Sequence, residues 1–341
     1  MAEITVVHLD DQKSWENFLA TNPEANFLQS WHWGEFRQVL KQKIFRIGFI
    51  KNGKLIGTML AVIEDAKRGR YLTVPAGPII DWQNQDLVDS FLTELKRIAK
   101  QESCVFVRVR PQLPDDEFSR QLFVKLGFQP APSHLHAELT SQLEIDKSEE
   151  ELLAQMRKNT RYEIRKALSL GIKVTASEDP EAIKSFFNLQ AETAKRQDFV
   201  PFSYEFLYEQ FKIFAGNNKA LLYSAEHNGQ LLAQAFIIFY GKEAAYHYGA
   251  SSESGRKYPG AYLLQWEAIK EAKKRGLKIY NFWGVAPEGQ SKHRFSGLSL
   301  FKRGFGGKDL AYLPAHDLVI NHPLYLINSA IENTRKHLRH L

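Results

Sequence analysis

Two kinds of apolar stretch alternate along this chain. Short continuous runs follow an Asn-Gly pair, and longer segments carry apolar residues every three or four positions. After Asn52-Gly53-Lys54 the run Leu55-Ile56-Gly57-Thr58-Met59-Leu60-Ala61-Val62-Ile63 reads as a strand, and Leu231 to Phe239 does the same after Asn228-Gly229-Gln230. Asn-Gly readily takes the left-handed dihedrals of a tight hairpin turn, so each pattern predicts a hairpin. Helical periodicity predicts a helix over 86–100 leading to a strand over 104–109. It predicts another over 261–275, stopped by Gly276, leading to a strand over 278–283.

These two sets recur in step. Lys125-Leu126-Gly127-Phe128 follows the first and Lys302-Arg303-Gly304-Phe305 the second, with 73 residues from Asn52 to Lys125 and 74 from Asn228 to Lys302. Two anchors in one order at nearly equal spacing predict a duplicated mixed α/β unit, offset by about 176 residues.

Between the copies, Ser148 to Gly171 predicts one helix, or two with a break near Asn159. Ser148 with Glu151 forms a capping box, three glutamates oppose the helix dipole and Gly171 ends the segment. At 100° per residue, Arg157, Lys158, Arg161 and Arg165 share an arc of roughly 100°, with Met156, Thr160, Ile164, Ala167 and Leu168 on the packed side. Five cations in ten residues suit a phosphate backbone; a solvated helix face accounts for them equally.

Composition narrows the class. With 341 residues, 44% hydrophobic and 12% aromatic, the chain is ordered and long enough for two cores. The longest apolar run, Leu231 to Tyr240, is of strand length and contains Gln234, and Met1-Ala2-Glu3-Ile4 lacks the pattern of a signal peptide. A soluble cytoplasmic protein is expected. The single cysteine, Cys104, excludes an intrachain disulfide and a cysteine zinc cluster, and with no His-Glu-x-x-His or carboxylate cluster no metal site is expected. A net charge of +6 fits an anionic partner such as RNA or a nucleotide, and is also common in proteins that bind neither.

The order hairpin, strand, helix, strand and terminal Lys-x-Gly-Phe resembles the GNAT fold of N-acyltransferases, present twice. More specifically, Asn26-Phe27-Leu28-Gln29-Ser30-Trp31-His32-Trp33-Gly34-Glu35-Phe36, the basic segment Ile164 to Val174, Tyr246-His247-Tyr248-Gly249-Ala250, Asn281-Phe282-Trp283-Gly284-Val285 and Leu300 to Gly306 resemble the Fem family of peptidoglycan aminoacyltransferases, in its compact form without a coiled-coil arm. The match runs over almost the whole chain in the right order.

The resemblance implies two GNAT-like domains facing each other across a groove, 1–145 plus 311–341 and 146–310. It implies transfer of an amino acid from aminoacyl-tRNA to the stem-peptide amine of UDP-MurNAc-pentapeptide or lipid II. Aminoacyl-tRNA is the co-substrate and no cofactor is expected; no obligate protein partner is evident, and peripheral membrane association follows if lipid II is the acceptor. Lys302 matches the family lysine that stabilises the carbonyl oxyanion, and Phe301 is expected to limit its rotamers. Arg37 matches a basic position that holds the nucleotide diphosphate. Tyr246 and Tyr248, alternating on a strand and so sharing one face, are expected to line the muropeptide groove, with Trp283 and Arg303 as further substrate contacts. Lys292 and Arg294, with Arg157, Lys158, Arg161 and Arg165, are expected to meet tRNA. A solvated charge at the arginines and lysines, and core packing at the tyrosines and Phe301, are the alternatives.

Two positions depart from the family. Arg110 stands before Pro111 where compact members carry aspartate, and Val200-Pro201-Phe202 occupies the place of an arginine. Two other functions fit parts of the pattern. A CoA-dependent N-acyltransferase would use the loop Ser254-Gly255-Arg256-Lys257-Tyr258-Pro259-Gly260-Ala261, although Pro259 removes one phosphate-facing amide. A non-catalytic RNA-binding protein would use the basic stripe alone. Donor identity, the number of residues added and the acceptor's form are not encoded in any motif.

Overall fold

The computed structural model describes residues 3–66, 69–197, 199–290 and 293–338. In chain order, β1 (Thr5–His8), α1 (Gln12–Thr21), α2 (Trp31–Val39), β2 (Ile44–Lys51), β3 (Lys54–Ala66) and β4 (Gly69–Pro75) come first. Then follow α3 (Gln85–Gln101), β5 (Phe106–Arg110), α4 (Glu117–Lys125), β6 (Gln129–Pro130) and β7 (Leu139–Glu144). Next are α5 (Glu149–Gln155), α6 (Lys158–Ser169), β8 (Lys173–Ser177), α7 (Ile183–Gln197), α8 (Tyr204–Gly216), β9 (Ala220–His227) and β10 (Gln230–Tyr240). Last are β11 (Glu243–Ser251), α9 (Gly260–Lys274), β12 (Ile279–Gly284), α10 (Ser296–Arg303), β13 (Lys308–Ala311), β14 (His316–Val319) and α11 (His322–Leu338).

The chain folds as two units, Met1–Glu138 with Ala311–Leu341, and Leu139–Leu310. Each has one seven-stranded sheet, ordered β1-β2-β3-β4-β5-β14-β6 in the first and β8-β9-β10-β11-β12-β7-β13 in the second. In both, four strands form an antiparallel meander and the fifth, reached through a long helix, lies parallel to the fourth. The duplication predicted from the anchors is therefore a duplication of topology. Both Asn-Gly turns take the expected left-handed dihedrals, with φ of 54° and 74° at Asn52 and Gly53 and 49° and 76° at Asn228 and Gly229.

The sixth sheet position departs from simple tandem copies. The strand that follows β6, β7, enters the second sheet beside β12, and the strand that follows β13, β14, enters the first beside β5. Each unit thus takes its sixth strand from the segment that follows the other unit's last strand. The boundary accordingly falls before β7, whereas the sequence reading placed 139–145 in the first domain.

In the first unit Leu87, Val88, Phe91, Leu95 and Ile98 of α3 pack on Met59, Ala61, Leu72, Val74 and Val107 of the sheet. The pairing of β3 with β4 stops at Val62↔Thr73, and the amide of buried Gln29 continues it. Its oxygen accepts from the Leu60 N–H at 2.8 Å, and its nitrogen donates to the carbonyls of Leu60 and Pro75 at 3.1 and 2.7 Å. Gly34 leaves room for Arg46, which lies on the Trp31 ring at 3.7 Å. Much of the N-terminal motif is therefore scaffold. At the other edge, Arg108 grips buried Asp317 through two 2.8 Å bonds and reaches Glu332 at 3.1 Å, which ties β14 and α11 to β5.

In the second unit Leu263, Leu264, Trp266, Ile269 and Ala272 of α9 pack on Tyr223, Ala235, Ile237 and Phe239. The capping box at Ser148 and Glu151 forms as expected. The helix breaks between Gln155 and Lys158, a little earlier than Asn159. Of the predicted packed side, Met156, Thr160, Ile164 and Ala167 are buried, but Leu168 is 57% exposed, because at 100° per residue it lies only about 20° from Arg161, on the cationic side of α6.

Candidate active site

The candidate chemistry collects in the second unit, where two parallel strands part. β11 and β12 pair over Glu243↔Ile279, Ala244↔Tyr280 and Ala245↔Asn281 only. Beyond that point β11 stays with β10 as far as Ser251, while β12 follows β7 with a register shift before Gly284. At the parting, Trp283 has a φ of 63°, which a bulky side chain adopts at a cost of roughly 1–3 kcal/mol. Buried Asn281 holds it there, accepting from the Trp283 N–H at 2.8 Å while its own amide donates to Glu243 at 3.1 Å. The turned peptide leaves the Gly284 carbonyl facing Lys302.

Lys302 lies in the last turn of α10 and is 6% exposed. Its Nζ donates to the Gly284 oxygen at 2.7 Å and lies 5.6 Å from the centroid of the Tyr246 ring. Among the described residues no carboxylate lies within ion-pair distance of it, and burial pulls its pKa from 10.5 down to about 7. This is a lysine poised between its two protonation states. The glycine run behind it serves packing: a side chain at Gly304 would strike Thr160, and at Gly306 and Gly307 the carbonyls of Gln155 and Gln142.

A bulge re-aims the tyrosines. Phe236 faces Tyr248 and Ile237 faces Tyr246, so His247 is the extra residue on β11. Tyr246 therefore packs with the α9 core and Lys302, whereas Tyr248 packs with Phe236 and Phe202 at 5.8 and 4.9 Å. The expectation that the two share one face is overturned, because one inserted residue cancels the period of two. Gly249 is required here, since a methyl at that position would overlap the Tyr246 hydroxyl.

His247, not singled out by the sequence reading, packs against Tyr248, Phe236 and Trp283. Its ring centroid lies 3.8 Å from that of Tyr248 and 5.8 Å from that of Trp283, and its Nε2 is 2.8 Å from the amide nitrogen of buried Gln210 on α8. Burial lowers its pKa to about 3, so the imidazole is neutral and fixes ring positions rather than supplying charge. Nothing in a lone Tyr-His-Tyr signals the bulge that places it.

The remaining candidates occupy other surroundings. Phe301 packs edge-on to Tyr262 and Phe305 at 4.8 and 5.4 Å, while the contacts on the Lys302 Nζ come from Tyr246 and Gly284. Arg303 grips Asp309 and the Ala286 carbonyl and braces the turn after α10, which corrects its reading as a substrate contact. In the first unit Arg37 pairs with Glu64, whose other oxygen accepts from Gln42 at 2.7 Å, so its charge is already matched by a carboxylate. Arg110 is buried, stacked on Tyr312 and donating to the Ala137 carbonyl.

The basic stripe divides. Arg161 donates to the carbonyls of Ala154 and Met156 at 2.8 and 2.6 Å and caps α5, and Arg157 reaches the Leu300 carbonyl at 3.4 Å; Lys158 and Arg165 are exposed. Arg294 is exposed over the Phe295 ring, and Lys292 lies outside the described residues. In the loop considered for CoA, a side chain at Gly255 would strike the Leu232 carbonyl and the Gly255 N–H donates to Ser252 Oγ, so that glycine already has an internal role. Among the described residues no helix is long and apolar enough to cross a membrane.

Comparison with known proteins agrees with this architecture. A lipid II:glycine glycyltransferase of Staphylococcus epidermidis is 24% identical over 90% of this chain and 91% of its own. The crystal structure of FemX superposes with a TM-score of 0.85 at 20% identity, covering 95% of this chain and all of that one. A tandem GNAT protein from the clavulanic acid biosynthesis pathway superposes at 0.60 and 12% identity, over 93% of this chain and 98% of that one. The duplicated GNAT-like fold is thereby established. The FemAB family model matches residues 11–124, 127–230 and 217–333, and the chain belongs to the FemAB family.

Proposed function

We propose that this protein is an aminoacyltransferase that moves a small amino acid from aminoacyl-tRNA to the stem-peptide amine of a peptidoglycan precursor, with lipid II as the acceptor. The acceptor follows the named activity of the glycyltransferase relative. The observation that carries the chemistry is Lys302, buried where β11 and β12 separate.

In the reaction the acceptor nitrogen attacks the ester carbonyl, the bond from that carbon to the tRNA ribose oxygen breaks, and the amine's proton leaves as the ribose hydroxyl is restored. Negative charge gathers on the carbonyl oxygen meanwhile. A lysine with a pKa near 7 is only half charged in the resting site, and an oxyanion beside it favours the ammonium. Its interaction therefore strengthens toward the transition state, which is the condition for accelerating the step. Tyr246 and the Gly284 carbonyl fix the Nζ.

The test is transfer of radiolabelled amino acids from a mixed aminoacyl-tRNA pool to lipid II and, separately, to UDP-MurNAc-pentapeptide. Label on lipid II is expected, with a loss of roughly 2–4 kcal/mol of transition-state stabilisation in Lys302→Ala. Folded protein that labels neither acceptor overturns the reading and makes CoA binding the next measurement.

A further inference from the structure

Between Asn281 and Gly284, β12 takes three steps where β7 takes two, so one residue is extra and the strand bulges as it leaves β11. Trp283 carries the turn with its φ of 63°, a conformation that suits glycine and that a bulky side chain keeps only where its neighbours impose it. Asn281 imposes it. Its side-chain oxygen accepts from the N–H two residues on at 2.8 Å, closing an Asx-type turn, and its amide is anchored on Glu243 of β11 at 3.1 Å. The peptide that follows Gly284 is then set from both sides. Its N–H, on Val285, donates to the Leu139 carbonyl of β7 at 3.0 Å, so its carbonyl points away from β7, into the gap that β11 has left. Lys302 Nζ takes that carbonyl at 2.7 Å, in the place where a neighbouring strand's N–H would stand in an unbroken sheet.

Helix α10 grips the same segment at a second point that does not involve Asn281. Ser299 Oγ accepts from the Ala286 N–H at 2.7 Å, and Arg303 donates to the Ala286 carbonyl at 2.5 Å. Loss of the Asn281 side chain therefore leaves α10 docked and releases only the turn at 283 and 284. We infer that Asn281 is a positioning residue for the transfer: by holding Trp283 in the left-handed turn, it keeps the Gly284 carbonyl in the gap between β11 and β12, where that carbonyl fixes the Lys302 ammonium. The reaction it serves rests on the aminoacyltransferase reading above; the geometry stands without it. A carbonyl acceptor favours the charged lysine over the neutral one, so it opposes the burial that pulls the Lys302 pKa down to about 7. The surrounding titratable groups are committed elsewhere. Tyr246 of β11, pushed up to about 12 by burial, is neutral, Tyr280 of β12 donates to Gln265, and Tyr262 of α9 faces Phe301. Arg303 is turned to Asp309 and Glu288, Arg157 before α6 reaches the Leu300 carbonyl, and Glu243 accepts from Asn281.

The experiment follows the Lys302 signal by NMR as pH is varied, in the intact protein with its lysines carbon-13 labelled at Cε and with Lys302→Met to assign the signal. Asn281→Ala, Trp283→Gly and the double variant are run beside wild type, with circular dichroism to verify folding. Asn281→Ala should move the Lys302 midpoint down by about half a pH unit or more, and lower kcat for transfer to lipid II about tenfold or more with KM little changed. Glycine takes the left-handed turn unaided. In the Trp283→Gly background, removal of Asn281 should therefore shift the midpoint by less than about 0.2 and change kcat by less than about threefold. An unmoved midpoint in Asn281→Ala, or equal shifts in the two backgrounds, overturns the proposal and makes Asn281 a brace of the sheet. So does a shifted midpoint with kcat unchanged, because the place of the ammonium then has no bearing on the reaction. The titration needs no substrate. Wild-type protein that transfers to no acceptor thus counts against the aminoacyltransferase reading, while the shift and its suppression by glycine still decide whether Asn281 positions Lys302.

Discussion

The same local motif ends both copies of the fold, yet its lysine has opposite surroundings in the two. Lys125 closes α4 in water, and Lys302 closes α10 beneath Tyr246 with its ammonium on the Gly284 carbonyl. Lys-x-Gly-Phe legibly marked a helix end and its glycine stop; which of two lysines is buried depends on residues 18 and 56 positions away, and no local pattern carries that. The depressed pKa has a consequence for stability. Between about pH 7 and 10.5 the unfolded chain holds a proton on this lysine that the folded chain does not, so stability rises with pH through that window and the full cost is present below it. Lys302→Met should therefore raise stability at pH 7 by on the order of 1–3 kcal/mol, after losing the bond to Gly284, while slowing transfer as Lys302→Ala does. Chemical denaturation at pH 7 and pH 10 measures this, and a variant less stable than wild type at both would show the lysine to be a structural brace. For the same reason the kcat/KM profile, once corrected for the neutral fraction of the acceptor amine, should fall as pH rises past about 7, as the free enzyme loses the ammonium, and a corrected profile flat from pH 6 to 9 would remove Lys302 from the chemistry.

At the scale of elements, the features written in a few adjacent residues were legible and those created by one inserted residue were not. The capping box at Ser148, the Asn-Gly turns and the stop at Gly276 are each local devices, and each forms. The bulge at His247 is the counter-example, because its cause is the pairing of β11 with β10 rather than anything in Tyr246-His247-Tyr248 itself. The basic stripe shows a third case: Lys158, Arg161 and Arg165 lie in α6, but Arg157 falls in the break between α5 and α6, and the break gave Arg161 three carbonyls to serve. The stripe's members should separate under mutation. Arg161→Ala should cost about 1–2 kcal/mol of stability through the orphaned helix end, and Arg165→Ala, exposed, almost none. If tRNA follows this face, Arg165→Ala should instead raise the KM for aminoacyl-tRNA and reduce its salt dependence by about one counterion. Equal melting temperatures for the two variants would contradict the capping role.

For the whole molecule, periodicity announced a duplication and could not say which sheet each strand would join. Leu139–Glu144 reads as a strand in any context, and a strand following β6 is as plausible beside β5 as beside β12. The observed exchange makes the two units unequal in sequence. The second takes all its strands from one continuous segment, Leu139–Leu310, while the first needs β14 and α11 from beyond it. A chain of residues 1–138 alone lacks β14, leaving β5 and β6 without their shared neighbour and Arg108 buried without Asp317 or Glu332. Breaking a buried pair from one side costs about 3–5 kcal/mol, a large part of a domain's stability before the lost strand is counted. Residues 139–310 should therefore fold and melt cooperatively on their own, whereas residues 1–138 should not, unless residues 311–341 are supplied in trans or joined by a flexible linker. Circular dichroism and thermal melts of the three samples decide it. A cooperative transition from residues 1–138 alone would mean that β14 only decorates the first sheet; restoration by the added segment would show that the first unit can fold only with the strand and helix that follow the second in the chain.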